Sequence, residues 1–255
     1  MNALRTALYV EFRKARASRV LHLTALLLMV GITILAIALT LSVNAGDEQV
    51  LAKLGPLADA TGWLLLIGVA AQVTAAGGLL AIGIAMSWMF GREFTDATIS
   101  GLFAQPVPRS TIAVAKLGIL MLWVAAVSVG LTAMILVSGL ALNLGPLTGD
   151  ILLQLGRLFV LVILTGLLTF PAAWIATLGR GPLPGIAATV VVLVTAQVTV
   201  ITAPDSAAWF PLSAPALWAI MPEAVHLGQL ATVVIVPVIF AALTAVSWHR
   251  LQLHR

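Results

Sequence analysis

The residues of this chain that could do chemistry lie mainly in one polar stretch, residues 91–116. It begins with Gly91-Arg92-Glu93-Phe94-Thr95-Asp96-Ala97-Thr98, passes through a short apolar turn, and ends with Pro106-Val107-Pro108-Arg109 and Lys116. Every other segment longer than about 20 residues is apolar enough to lie in a bilayer. The stretch is therefore either a plain connector or the place where a soluble partner binds, and we interpret it as a docking site.

No catalytic pattern accompanies this stretch. A phosphate-binding loop ends in Gly-Lys-Ser or Gly-Lys-Thr, but none of the three lysines, Lys14, Lys53 and Lys116, follows a glycine. The four histidines lack the spacing of a zinc site, and the absence of cysteine excludes disulfides, thiolate metal sites and a cysteine nucleophile. We expect no catalytic residue, metal or cofactor on this chain, and no ATPase activity of its own.

Polar groups elsewhere are few. The apolar segments contain Gln72, Gln197 and scattered Ser and Thr, without the buried ionisable residues that ion-coupled transporters and channels need. Single serines such as Ser87, Ser128 and Ser138 are expected to hydrogen-bond to their own helices. Energy for any transport would therefore have to come from outside the chain.

The elements that must position the polar stretch are membrane helices. Of the 255 residues, 61% are hydrophobic and 9% are charged, far from the composition of soluble domains. The fold class is an all-α integral membrane protein with a single transmembrane domain, residues 1–255. We predict spans at about 20–43, 62–90, 111–143, 158–178, 185–203 and 224–248.

Local signals add detail to these spans. The second is longer than the roughly 20 residues that a bilayer requires, and Gly77-Gly78 is the expected bend. Ser110 is the expected N-cap of the third span, and Pro171 should kink the fourth by removing a backbone hydrogen bond. Trp63, Trp88, Trp174 and Trp248 lie near span ends, where an aromatic belt explains them.

The segment before the first span, residues 2–19, predicts an amphipathic helix in the membrane interface. Its apolar stripe would sink into the acyl boundary while its cations meet anionic head groups. The stripe consists of Leu4, Leu8, Phe12 and Ala15, and the cations are Arg5, Arg13, Lys14 and Arg16. Glu11 falls beside the apolar stripe, so it either forms an exposed pair with Lys14 or contacts a partner or the loop after the second span.

The segment after the fifth span is too rich in proline to cross a membrane. Pro204, Pro211, Pro215 and Pro222 alternate with the aromatic residues Trp209, Phe210 and Trp218. We predict a short interfacial or re-entrant element before the last span, on the outer face.

Basic residues give the orientation. With both termini inside, eleven of the 13 Lys and Arg residues are inside and only Lys53 and Arg157 are outside, which satisfies the positive-inside rule. The inner residues are Arg5, Arg13, Lys14, Arg16, Arg19, Arg92, Arg109, Lys116, Arg180, Arg250 and Arg255. The polar stretch thus faces the cytoplasm, and the basic charge indicates membrane orientation rather than nucleic-acid binding.

Within the polar stretch, Thr95 or Asp96 could cap a helix of about two turns. Ile99, Leu102 and Phe103 would give that helix an apolar face with no span to cover it, so either a groove on a partner or the inner leaflet would bury it. We expect Glu93 to accept hydrogen bonds from the amides of this helix or from Arg92 and Arg109.

With these residues laid out, the chain resembles the membrane subunit of type-2 ABC exporters, a bacterial permease family with six helices. The similarity covers essentially the whole length. Its sharpest parts are Arg92-Glu93-Phe94, Thr98, Pro106-Val107-Pro108-Arg109 and Lys116, together with the basic N-terminal helix containing Glu11 and Lys14. Where the family often has Gly-Thr, this chain has Ala97-Thr98.

This resemblance implies a homodimer or related heterodimer of such subunits in a bacterial inner membrane. Each subunit would bind one of two cytoplasmic ATPases, which carry ATP and Mg, through a coupling helix. The implied coupling residues are Arg92, Glu93, Phe94, Asp96, Thr98, Ile99, Leu102, Phe103, Pro106 and Arg109. The substrate would be amphipathic or hydrophobic, such as an antibiotic, a peptide or a lipid-linked molecule. The alternatives are a membrane anchor or sensor for an ATPase or kinase, and an intramembrane enzyme, which the missing motifs disfavour.

Overall fold

Six long helices pack together into one bundle in the computed structural model. The structure describes residues 3–103 and 106–252, apart from the side chains of residues 52, 53, 56, 103, 204 and 205. All regular structure in these ranges is helical. Each long helix is apolar and long enough to span a membrane: span 1 is Arg19–Asn44, span 2 Gly62–Thr95, span 3 Arg109–Ala141, span 4 Gly149–Leu178, span 5 Pro182–Thr202 and span 6 Leu227–His249. The predicted fold class is confirmed.

The alternation of the spans gives the bundle two distinct ends. One end, called the basic end, carries the N-terminal helix and the connections from span 2 to span 3 and from span 4 to span 5. The other, called the acidic end, carries a short helix at Glu48–Leu54 and the helices that follow span 5, at Pro204–Ala207 and Ala214–Ile220. Two of the predicted cations, Lys53 and Arg255, lie outside the described side chains.

The N-terminal helix runs over Ala3–Arg16, and span 1 follows after only two residues. It ends before the predicted residue 19 because Ser18 starts the next helix, its Oγ accepting a hydrogen bond from the amide of Leu21 at 3.1 Å. The short connection holds the N-terminal helix against the basic end.

Two predicted helix starts are wrong. Span 3 begins at Arg109 with Pro108 at the N-cap, because proline fixes the backbone angle there, and Ser110 is therefore inside the helix. Span 4 begins at Gly149, nine residues before the predicted start at 158, and the Thr148 hydroxyl caps it by accepting from the amide of Ile151. Arg157, expected in a loop, is a half-buried residue of this helix, since one cation does not end an otherwise apolar span.

Irregular turns interrupt four of the spans. Span 2 contains a π-helical turn at Thr74–Gly78, which agrees with the irregularity expected at Gly77-Gly78. Span 4 is divided at Thr169, two residues before Pro171, whose missing N–H prevents a continuous ladder. Span 6 is divided at Val234, three residues before Pro237, whose missing N–H interrupts the ladder there. A second π turn, at Leu27–Gly31 in span 1, had no recognised signal.

Spans 2 and 4 form the centre of the bundle, and spans 1, 5 and 6 lie at its periphery with large apolar side chains exposed. Small residues permit the close approach of helices that lipid alone does not drive together. A Cβ added to Gly83 would overlap Thr189 of span 5, and one added to Gly139 would overlap the ring of Trp63. Gly83 thus permits the close contact of span 2 with span 5.

Two of the four tryptophans are not part of an exposed belt. Trp63 is 3% exposed and donates its indole N–H to the carbonyl of Gly145 at 3.1 Å. Trp248 is 1% exposed and donates to Thr177 Oγ1 at 3.0 Å. Trp174 donates to Ser247 Oγ at 3.1 Å, which joins spans 4 and 6. The belt interpretation is therefore wrong for Trp63 and Trp248, because each indole has a partner inside the protein.

The proline-rich segment after span 5 is short and irregular, as predicted. Ala214–Ile220 begins with buried Ala214 and Pro215 and packs against spans 2 and 4, while Trp209 is exposed. The segment therefore covers part of the acidic end of the bundle.

Candidate functional site

Four charged side chains from three helices meet at the basic end. Glu11 and Lys14 come from the N-terminal helix, Glu93 from the last turn of span 2, and Lys116 from the second turn of span 3. Lys116 Nζ lies 2.6 Å from Glu93 Oε1 and 2.9 Å from Glu11 Oε2. Lys14 Nζ lies 2.9 Å from Glu11 Oε1 and 3.1 Å from Glu93 Oε1. The contacts close into a ring, called here the charge ring.

The charge ring is buried and balanced. Glu93 and Lys116 are each 1% exposed and Glu11 is 2% exposed, whereas Lys14 lies at the rim. Two carboxylates face two ammonium groups, so the formal charges cancel. A buried ion is costly unless it is paired and hydrogen-bonded, and each ion here has two opposite partners. Removing one member would leave an unbalanced charge in a dry environment.

A hydroxyl attaches the next segment to the ring. Thr98 Oγ1 donates to Glu93 Oε2 at 2.6 Å, so all four carboxylate oxygens of the ring accept a hydrogen bond. Thr98 directly precedes a short helix at Ile99–Phe103. The residue before it, Ala97, has φ of 54°, a left-handed conformation that favours glycine. Alanine therefore occupies this turn at some cost in strain.

Lys14 keeps its charge at the rim of the ring. Partial burial opposes the charged form, but the carboxylates of Glu11 and Glu93 outweigh burial and raise the pKa of Lys14 above its ordinary value of 10.5. The ring therefore retains this cation throughout the physiological range.

The caps of the short helix differ from the prediction. The helix is described over Ile99–Phe103, and Asp96 is the C-cap of span 2 rather than a cap of this helix. The Thr95 hydroxyl donates back to the carbonyl of Arg92, so neither predicted cap acts as one. The chain leaves span 2 through the turn at Ala97, and the short helix begins two residues later at Ile99.

The apolar side of the short helix is buried by the protein itself. Leu102 is 7% exposed and belongs to a cluster with Ile112 and Leu117 of span 3, and Ile99 is half-buried against the same cluster. The N-terminal helix supplies the covering surface, since Ala7 and Val10 lie beside Leu102. The expectation that a partner's groove or the leaflet covers Leu102 is therefore wrong. The side chain of Phe103, assigned to the same face, lies outside the described residues.

The outward side of this region is polar and small. Asp96, Ala97, Ser100 and Gly101 are exposed, and Pro106 is exposed where the chain turns toward span 3. The Ser100 hydroxyl donates to the carbonyl of Ala97, which stabilises the turn. A partner reaching the basic end would meet these residues rather than an apolar face.

The remaining predicted coupling residues have structural contacts. The guanidinium of Arg92 lies over the ring of Trp88, 4.6 Å from its centroid, and the Phe94 ring packs edge-on against Trp248 at 6.5 Å. Arg109 donates to the carbonyl of Leu251 and so joins span 3 to the end of span 6. The donors to Glu93 that the described residues show are Lys14, Lys116 and Thr98.

The N-terminal helix is held by its charged side and not only by its apolar stripe. Glu11 is buried, so the exposed Glu11–Lys14 pair is wrong, and the contact with the 91–116 stretch is made through Lys116. Leu8 and Ala15 pack onto the bundle, whereas Leu4 and Phe12 are exposed. Arg13 and Arg16 are also exposed, with Arg13 above the Tyr9 ring at 6.0 Å.

Lys116 is the ring member whose pairing the sequence reasoning missed. It ends the polar stretch and also falls within the predicted third span at 111–143, and the structure places it in the second turn of span 3, in contact with Glu11 and Glu93. Two signals pointed to it: a lone lysine within an apolar helix needs an anion, and Glu11 is an acid on the apolar side of its own helix. Together they predict a pair.

A second feature lies toward the acidic end. A cavity of about 350 Å³ opens between spans 2 and 5 and the helix Ala214–Ile220. Its lining is mostly apolar, and its polar side chains include Gln72 and Gln197, the two amides that the sequence singled out. Ser87 and Ser138 hydrogen-bond to their own helices as expected, but Ser128 donates across to the carbonyl of Phe159 in span 4.

The fold and the site together define a multi-pass α-helical membrane protein whose buried polar centre is built for holding helices. Among the described residues no group of His, Cys, Asp and Glu could hold a metal ion. The family model described as ABC-2 family transporter protein matches residues 7–196, about three quarters of the chain. The chain belongs to that family, and the prediction of a type-2 ABC permease subunit is confirmed. Curated proteins gave no match.

Proposed function

We propose that this chain is the membrane subunit of an ATP-driven exporter, and that the charge ring transmits movement of a bound ATPase to the membrane helices. The observation that carries the proposal is the ring itself. One buried network joins the N-terminal helix, span 2, span 3 and, through Thr98, the short helix at the basic end. A force on the short helix therefore acts on two spans at once.

The docking surface of the ATPase is the outward side of the short helix, centred on Ala97, Ser100 and Gly101. These residues are exposed and small, while the apolar side of the helix is already buried against the N-terminal helix. A partner that fits closely against the exposed residues would press the short helix onto the N-terminal helix and would not need to bury the apolar side itself. ATP and Mg would be bound by the ATPase, because this chain has no phosphate loop.

The basic end faces the cytoplasm in this proposal. Arg13, Lys14, Arg92, Arg180 and Arg250 all lie at that end, in agreement with the positive-inside rule. A bacterial inner membrane with both termini inside accommodates this arrangement. A second permease subunit would pack against the peripheral spans, whose large apolar side chains are exposed.

The cavity lined by Gln72 and Gln197 is the proposed binding place of the substrate. Its lining includes no charged side chain among the described residues, which suits an uncharged apolar or amphipathic group with a hydrogen-bonding function. At about 350 Å³ it holds only part of a large molecule, such as one side chain or acyl segment.

A steric block of the docking surface tests the partner. A Cβ at Gly101 has no atom within 4 Å, so Gly101→Trp should leave the fold intact and prevent ATPase binding. Gly149→Trp, at an equally open glycine of the acidic end, is the matched control. Co-purification of an ATPase with the wild type and Gly149→Trp but not with Gly101→Trp supports the proposal. Equal recovery with all three rejects this surface, and failure of any ATPase to co-purify rejects the exporter function.

A further inference from the structure

One side of the N-terminal helix is exposed and carries both cations and aromatic rings. Its residues are spaced so that they share one side of an α-helix, and the opposite side of the same helix is buried in the charge ring. The exposed set, called here the basic-aromatic face, consists of Arg5, Tyr9, Phe12, Arg13 and Arg16. It differs from the predicted apolar stripe, because Leu8 and Ala15 of that stripe pack onto the bundle.

The three guanidinium groups of the basic-aromatic face have no carboxylate partner in the part of the chain that the structure describes. The ion pairs of those residues all belong to the charge ring, where Glu11 is buried on the other side of the helix. A shallow groove of about 430 Å³ runs along Tyr9, Phe12, Arg13 and Arg16, and its described lining contains no acid. An anion on this face would therefore meet no competing carboxylate from the groove.

The packing of the helix places this face where the spans enter the membrane. Glu11 contacts Lys116, and Leu8 lies beside Gly118, so the helix runs next to about the first three turns of span 3. In the same turns Val114 is 46% exposed, as an apolar side chain of a membrane span is expected to be. Span 1 begins only two residues after the N-terminal helix ends. The basic-aromatic face therefore lies at the level of the lipid head groups.

The chemistry of the face matches an anionic membrane surface. Tyr9 and Phe12 are 61% and 45% exposed, and aromatic rings of this kind suit the boundary between head groups and acyl chains. Arginines beside them on the same helix are attracted to the phosphates of anionic lipids. An acidic soluble protein would satisfy the cations, but it would leave the proximity of the face to the spans unused.

We propose that the basic-aromatic face binds anionic phospholipid of the leaflet at the basic end, and that this lipid stabilises the charge ring. The link is the helix itself, whose buried side contributes Glu11 and Lys14 to the ring. A lipid that holds the helix in place therefore holds these two charges against Glu93 and Lys116. The site is separate from the docking surface and does not depend on the exporter function.

Fluorescence quenching by spin-labelled lipids tests the binding. Because the sequence has no cysteine, Ala17→Cys, exposed at the edge of the groove, can carry a single fluorophore on the full chain. The probes are phosphatidylglycerol and phosphatidylcholine with the same spin-labelled acyl chain, each added to phosphatidylcholine bilayers that contain the chain. Phosphatidylglycerol should quench at least about fivefold more strongly, the preference expected from one arginine near the surface.

Charge variants show whether the arginines cause this preference. Arg5→Gln/Arg13→Gln/Arg16→Gln should reduce it below about twofold. The matched control Arg5→Lys/Arg13→Lys/Arg16→Lys keeps the charges and should keep the preference. Arg250→Gln removes an exposed cation elsewhere at the basic end and should leave the quenching at position 17 unchanged.

Thermal unfolding tests the link to the charge ring. The wild type should have a Tm higher by a few degrees in bilayers with phosphatidylglycerol than in phosphatidylcholine alone, and the triple glutamine variant should lose this gain. Glu11→Gln/Lys14→Met leaves Glu93 and Lys116 as a balanced pair but removes the charges of the helix from the ring. That variant should keep the lipid preference and lose most of the gain in Tm.

Three results would overturn the proposal. The first is equal quenching by the two lipids in the wild type or an unchanged preference in the triple glutamine variant. The second is protection of the fluorophore from both lipids, which would show that a protein, either the ATPase or a second copy of the chain, covers the face. The third is a full Tm gain in Glu11→Gln/Lys14→Met, which would show that the lipid acts without the charge ring.

Discussion

Neutralising Glu93 should destabilise the chain more than any comparable change at its surface. Glu93→Gln keeps the shape of the side chain and an acceptor for Thr98, but it changes the ring from balanced to a net charge of +1. Lys116, 1% exposed, would lose its carboxylate partner at 2.6 Å and keep Glu11 at 2.9 Å as its one described anionic partner. Breaking a buried ion pair typically costs about 3–5 kcal/mol, and because one carboxylate remains, we expect about 3 kcal/mol here.

The companion variants define the magnitude. Lys116→Met alone leaves two carboxylates with one ammonium group and should cost a similar amount. Glu93→Gln/Lys116→Met leaves Glu11 paired with Lys14, so its cost should fall short of the sum of the two single costs by about 2 kcal/mol. For a chain of this size, about 3 kcal/mol corresponds to a fall in Tm on the order of 10 °C.

Thermal unfolding in detergent, followed by intrinsic tryptophan fluorescence, measures these differences. Glu48→Gln makes the same chemical change on an exposed carboxylate of the acidic end and should shift the Tm by no more than about 2 °C. Two outcomes would refute the reasoning: a Tm of Glu93→Gln equal to that of Glu48→Gln, or additive losses in the double variant. Either would show that the ring does not hold the helices together.

Three further predictions concern the topology, packing and alkaline stability of the chain. Because the sequence has no cysteine, single cysteines placed at Ser100 and Asp47 can be labelled without background. They should react with membrane-impermeant reagents from opposite sides of the membrane in intact cells. Labelling of the Ser100 position from outside would contradict the topology. Gly91→Ala should destabilise the folded chain by about 1–3 kcal/mol, because the added Cβ would overlap the backbone of Gly181 and Pro182. The control Gly156→Ala, where the added Cβ has open space, should be neutral or slightly stabilising. Equal Tm values for the two variants would reject the close packing of spans 2 and 5. The pKa of Lys14 is raised above 10.5, so the stability that its charge contributes is complete below that pH and is lost as pH rises through the folded-state pKa. The Tm difference between wild type and Lys14→Met should therefore stay constant to about pH 10 and then shrink. Shrinkage already below about pH 9 would show that the ring does not retain this cation.

The membrane fold was readable from the sequence because it depends on composition. A span needs only a long apolar run, so all six appeared, and their order placed Arg92, Arg109 and Arg180 at one end. Starts were less predictable, as at Gly149, where a helix continues past Arg157 because one half-buried cation is tolerated. Helix irregularities were foreseen at Gly77-Gly78 and Pro171, and were missed at Val234 before Pro237 and in span 1 at Leu27–Gly31, whose sequence contains a single glycine.

The site was only half predictable. Glu93 and Thr98 could be singled out because they interrupt an apolar pattern, but the partners of Glu93 lie 5 to 79 positions away in the sequence. Pairing over such distances depends on how helices pack, which periodicity does not encode. The same limit explains Leu102: its cover is the N-terminal helix, and an apolar face gives no sign of which element will bury it.

Spin-label distances across the acidic end test the transmission of movement most directly. Cysteines at Asp47 and Asp150, both exposed, would carry the labels in the complex with the ATPase that co-purifies with this chain. The wild-type complex should change its label distance when ATP and vanadate trap the ATPase. The Glu93→Gln/Lys116→Met complex, whose charges remain balanced, should still hydrolyse ATP but show no such change. A wild-type distance change in that double variant would contradict the role of the charge ring.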